Sequence, residues 1–90
     1  MLVTGAGRGI GKRLAMGFAL AGAKVGLLAR TEAELDLTKL EIEQAGGTAL
    51  KLRADVRRPD EMATAVNRMV GAFGGLVWIL SAEKAAKGLP

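Results

Sequence analysis

Apolar and polar positions along the chain alternate between short unbroken apolar runs and longer stretches with helical spacing. Leu2 and Val3 run into Thr4-Gly5-Ala6-Gly7-Arg8-Gly9-Ile10-Gly11, after which Ile10, Leu14 and Phe18 recur at the i, i+4, i+8 spacing of one helix face. The order is strand, glycine loop, helix, and the helix is expected from about Gly9 to Ala21, ending at Gly22. Val25 to Ala29 is wholly apolar, as a strand covered on both faces requires. Thr31 and Glu34 form a T-x-x-E capping box that opens a second helix over about Glu32 to Ala45, with Leu35 and Ile42 facing inward. Gly46-Gly47 closes it. Thr48 to Ala54 predicts a third strand, Asp55-Val56 leads off it, and Pro59 starts a third helix that runs through Phe73. Met62, Val66, Met69 and Phe73 supply that helix's buried face, and Leu76 to Leu80 predicts a fourth strand.

Strands that alternate with helices over short connections imply an α/β fold, a doubly wound, Rossmann-like parallel sheet with helices on both faces. The expected strand order is 3-2-1-4, and the sheet is incomplete at about four strands. Residues 1–80 form this domain and residues 81–90 a tail with at most a ragged helical turn or two. Ligands of such sheets bind beyond the carboxyl ends of the strands, where the order reverses, which is the crevice between strands one and four.

Composition narrows the chemistry. The chain has 90 residues, 50% of them apolar, with 13 glycines and neither cysteine nor histidine. Disulfides, thiolate nucleophiles and zinc–thiolate sites are therefore excluded, and the commonest general base is missing. No apolar run reaches the roughly 18 residues of a membrane span, and the amino terminus has no signal-like pattern, so a soluble, cytoplasmic chain is expected. The net charge of +4 is spread along the sequence and only Phe18, Phe73 and Trp78 are aromatic, which argues against nucleic acid as a partner. A smaller anion held at one spot fits better.

Gly5, Gly7, Gly9 and Gly11 stand between a strand and a helix, where absent side chains let backbone N–H groups approach a diphosphate at the positive helix end. A plain tight turn is the alternative. Thr4-Gly5-Ala6-Gly7-Arg8-Gly9-Ile10-Gly11 resembles the T-G-x-x-x-G-x-G cofactor loop of the short-chain dehydrogenase/reductase family. Ala29-Arg30, Gly46-Gly47, Asp55-Val56 and Phe73-Gly74-Gly75-Leu76 resemble the same family in order and spacing. The resemblance implies a dinucleotide cofactor held by Thr4, Gly5, Gly7, Arg8, Gly9, Ile10, Gly11, Arg30, Asp55 and Val56.

An acidic residue ending strand two would hydrogen-bond a ribose 2′-hydroxyl and repel a 2′-phosphate. Ala29 and Arg30 stand there instead, and Arg8 projects from the loop, so NADP is expected over NAD, the alternative being two solvated arginines. By resemblance Asp55 accepts a hydrogen bond from the adenine amino group and Val56 packs on the ring. A helix-entry turn is the other reading of Asp55. Trp78 is read as core rather than as a stacking platform.

The sequence departs from the family in its chemistry. The family's general acid is a tyrosine, with a lysine four residues on, a serine and an asparagine, yet this chain has no tyrosine. Leu80-Ser81-Ala82-Glu83-Lys84-Ala85-Ala86 is similar to the family's active-site helix with leucine in the tyrosine's place, and leucine donates no proton. An internal deletion would produce this tail, as would coincidence; Ser81 and Lys84 are weak catalytic candidates. Only Leu2 and Val3 precede the glycine loop, where a central strand usually has about five or six residues. The expectation is an amino-terminal piece of an NADP-dependent oxidoreductase, inactive alone, with self-association through its exposed strand edge. A nucleotide-binding regulatory module and a partner-dependent interaction fragment are the alternatives.

Overall fold

The computed structural model describes residues 1–7, 9–74 and 79–81. β1 (Leu2–Thr4) feeds α1 (Gly9–Leu20), β2 (Lys24–Ala29) feeds α2 (Glu32–Gln44), β3 (Thr48–Arg53) feeds α3 (Pro59–Phe73), and β4 (Ile79–Ser81) follows. A strand that leaves the sheet through a helix returns to the same end, so its neighbour runs parallel. The sheet is parallel throughout in the order β3-β2-β1-β4, as expected from the sequence, with Val3 opposite Leu27 on one side and Leu80 on the other.

Side chains alternate across each strand, and the sheet therefore separates two cores. Val3, Val25 and Leu27 meet Ala15 and Ala19 of α1 and Leu35 and Ile42 of α2. On the other face Leu2, Leu28 and Leu52 meet Ala65 and Met69 of α3. Each fully buried leucine or isoleucine stabilises the fold by about 1.5–3 kcal/mol. Gly26 belongs to the α3 face, where a Cβ would run into the Met69 thioether and stand 3.1 Å from Leu2 Cδ1.

Three local expectations are corrected. In α1 the face against the sheet is Gly11, Ala15 and Ala19, while Ile10 is 40% exposed and Phe18 half-buried. Small side chains let the helix axis approach the sheet, and the bulkier residues splay to its flanks. Thr31 does occupy the cap position of α2, with extended backbone, but its side chain makes no capping hydrogen bond. Glu34, the other half of the expected box, lies instead against the glycine loop. The third correction adds Ala65 to the buried face of α3, with Met69; Met62, Val66 and Phe73 pack around them partly exposed. Of the expected fourth strand, Leu76 to Trp78 lie outside the described residues, as do Arg8, Lys84 and the rest of the tail. Among the described residues no helix is long and apolar enough to cross a membrane.

Candidate cofactor-binding site

Because all strands run the same way, their carboxyl ends open on one side of the sheet. A groove of about 370 Å³ lies there, walled by Gly5 and Gly7 after β1, Ala29, Arg30, Thr31 and Glu34 around the β2–α2 junction, and Asp55, Val56 and Arg57 after β3. The sequence placed the crevice between strands one and four; the groove among the described residues extends the other way, from the glycine loop toward β3.

The loop is built to bare its backbone. Gly5 and Gly9 have φ of 69° and 62°, in the left-handed region that favours glycine. The Ala6 N–H donates to the Leu28 carbonyl at 3.1 Å, which ties the loop to β2. A Cβ on Gly7 would lie 2.8 Å from Glu34 Oε2 and 3.0 Å from Glu34 Cβ, so only glycine lets α2 pack this closely. Beneath it the buried Thr38 hydroxyl lies 3.1 Å from the Glu34 carbonyl and 3.5 Å from the Gly7 carbonyl. α1 begins at Gly9 with no acidic residue in its first turn, which leaves the positive helix end free for an anion.

Of the residues singled out in the sequence, Gly5, Gly7, Arg30, Asp55 and Val56 line the groove together. Thr4 is buried, and its hydroxyl donates to the Leu80 carbonyl at 3.4 Å, joining β1 to β4 rather than facing the groove. Gly9, Ile10 and Gly11 sit at the start of α1, beside the groove rather than in its wall. Ser81 closes β4 opposite Thr4.

Asp55 is already engaged locally. Its Oδ1 accepts the Arg57 backbone N–H at 2.9 Å and Nε at 3.0 Å, and its Oδ2 accepts Nη2 at 2.8 Å. The side-chain bonds from Arg57, then its backbone N–H, hold the carboxyl well below the usual aspartate range, and the same pairing raises the Arg57 guanidinium. This is the turn geometry that was the second reading of Asp55. Arg57 is 72% exposed, so swinging it outward would free an acceptor on the groove wall.

Three groups in the site were missed in the sequence. Glu34 was absorbed into the capping pattern, Arg57 was not singled out, and Thr38 had only one signal, a polar residue three positions after Leu35 on the inward face of α2. Among the described residues no group of three or more acids could hold a metal. Among the described residues the groove offers bared N–H groups, two guanidinium groups, Arg30 and Arg57, and two carboxylates, Glu34 and Asp55, a set suited to a phosphorylated nucleoside.

Residues 1–85 match the family model described as short chain dehydrogenase. An uncharacterized oxidoreductase of Mycobacterium tuberculosis is 43% identical over 75 residues, 83% of this chain and 28% of that protein. A 3-ketoacyl-ACP reductase from Sinorhizobium meliloti superposes with a TM-score of 0.82 at 44% identity, over 87% of this chain and 31% of the other. A metagenomic short-chain oxidoreductase in complex with NADP superposes with a TM-score of 0.80 at 35% identity, over 87% of this chain and 35% of the other. The chain thus spans about a third or less of the length of these relatives.

Proposed function

The chain belongs to the short chain dehydrogenase family, and on that premise we propose that it is the NADP-binding portion of an oxidoreductase that moves hydride between NADP(H) and an alcohol or carbonyl. The observation that carries the reading is the groove, with a bare-backboned glycine loop on one wall and Arg30, free of any ion pair among the described residues, at the end of β2. The loop and the start of α1 hold the diphosphate, Arg30 takes the 2′-phosphate, and Asp55 and Val56 flank the adenine. Arg8, in the same loop, is assigned to the same phosphate from the sequence alone. The cofactor supplies the hydride; this portion binds and orients it.

The chain alone does not turn over a carbonyl, because its 90 residues contain no tyrosine to serve as the proton donor found in the family. Residues 1–80, together with Ser81 that ends β4, are assigned to the cofactor-binding unit and the remaining residues to a tail, with a cytoplasmic location and self-association through the β4 edge. Calorimetric titration with NADP and with NAD tests the central claim: tighter binding of NADP is expected, and equal or absent binding refutes it. Steady NADPH consumption with any aldehyde or ketone, abolished by Gly9→Trp, would refute the inactivity.

A further inference from the structure

The carboxylates of α2 divide sharply by partnership. Glu32 and Asp36 pair with Lys51 at 2.9 and 2.7 Å, Glu41 with Lys12 at 2.9 Å, and Glu43 with Lys39 at 3.3 Å. Glu34 alone among the acids of this helix has neither an ion pair nor a hydrogen bond to its carboxylate among the described residues. It is also the acid that points away from the surface lysines and into the groove, half-buried against Gly7. Across the groove, Arg57 neutralises Asp55. Once these pairs are set aside, the groove keeps, among the described residues, one cation, Arg30, and one anion, Glu34.

We infer that Glu34 is a second determinant of cofactor choice, opposing Arg30 in the same groove. The inference rests on the reading of the groove above as a dinucleotide site and sets how strongly it discriminates between NADP and NAD. A carboxylate accepts hydrogen bonds from the hydroxyls of an unphosphorylated ribose, but repels a phosphate that carries nearly two negative charges. Each cofactor therefore meets one favourable charged group: the 2′-phosphate of NADP meets Arg30, and the ribose hydroxyls of NAD meet Glu34. The groove discriminates less than Arg30 alone would allow.

The test is calorimetric titration of the chain and of Glu34→Gln with NADP and with NAD, at low and at high salt. Glu34→Gln removes the charge at constant shape. It should raise the NADP-to-NAD affinity ratio by about tenfold, as expected of two or three charges a few ångströms apart near solvent. Both limbs contribute, tighter NADP and weaker NAD, and the change should shrink in high salt as screening shortens the interaction. Glu34→Ala should move the ratio the same way, and circular dichroism of both variants reports whether they fold. A ratio unmoved in both variants, or two affinities that change together, overturns the inference. If the parent chain prefers NAD and Glu34→Gln still moves the ratio toward NADP, the inference stands and the NADP reading falls. Absence of binding by either nucleotide to parent and variants overturns both.

Discussion

The hydroxyl of Thr38, fully buried in α2, lies between two carbonyls, that of Glu34 at 3.1 Å and that of Gly7 at 3.5 Å. It links the helix to the glycine loop at the point where a Cβ on Gly7 could not fit. Thr38→Val keeps the shape and removes the donor. The variant should lose about 1 kcal/mol of stability, the net worth of a buried neutral hydrogen bond, read as a lower urea midpoint at unchanged slope. It should also weaken nucleotide binding, since the loop loses its anchor. Unchanged stability and affinity would mean that packing alone places the loop.

Arg30→Asp puts a carboxylate where the 2′-phosphate is assigned. Removing a charge-assisted contact worth about 1.5–3 kcal/mol should lower NADP affinity by roughly tenfold to a hundredfold and leave NAD equal or tighter. Titration with both nucleotides measures it. An unchanged ratio removes Arg30 from the site.

Strand order and most element boundaries were legible because strand and helix periods differ strongly in Val25 to Ala29 and Leu35 to Ile42. The face of α1 was not, because hydrophobic size was taken as the mark of burial, whereas the sheet selects Ala15 and Ala19 for close approach. At the site, glycines, Arg30 and Asp55 carry their chemistry in residue type and position. Glu34 carries its role only in the third dimension: the spacing from Thr31 reads as a cap, and only the packing against Gly7 diverts the carboxylate. Arg57 is similar, since a pair two residues apart gives no sign of which acceptor atoms it consumes.

The Asp55–Arg57 pair makes a pH prediction. Asp55 is depressed in the folded chain, so its contribution is complete above the ordinary aspartate value, about 4, and is lost as pH falls below that toward the folded value. Thermal melts of the parent and of Asp55→Asn should differ by a constant amount from pH 8 to about pH 5 and converge below about pH 4. A gap that persists undiminished toward pH 2 would show that Asn loses something other than the charge.

Gly26→Ala tests the α3 face. The added methyl meets the Met69 thioether and Leu2, both fully buried, and overpacking of this kind costs about 1–3 kcal/mol. Met69→Ala in the same chain should recover part of that loss, giving a favourable coupling in a double-mutant cycle on denaturation midpoints. Strict additivity would place the strain elsewhere.

The last expectation concerns the sheet edge. Among the described strands β4 pairs only with β1, through three residues, and Ile79 is 55% exposed. An apolar strand at the edge of a sheet is a template for a second copy, and a small sheet has little stability to set against that. Size-exclusion chromatography of the chain should therefore show association that grows with concentration, and Ile79→Lys should reduce it by placing a charge on the strand. Nucleotide binding acts on the same balance from the other side of the sheet, because a ligand that binds only the folded form stabilises it by mass action. At a hundredfold excess of NADP over its dissociation constant the gain is about 2.7 kcal/mol, on the order of ten to twenty degrees in the melting midpoint for a domain of this size. NAD at the same concentration should raise the midpoint less. A concentration-independent monomer whose sharp melt ignores both nucleotides would refute the edge and the groove together.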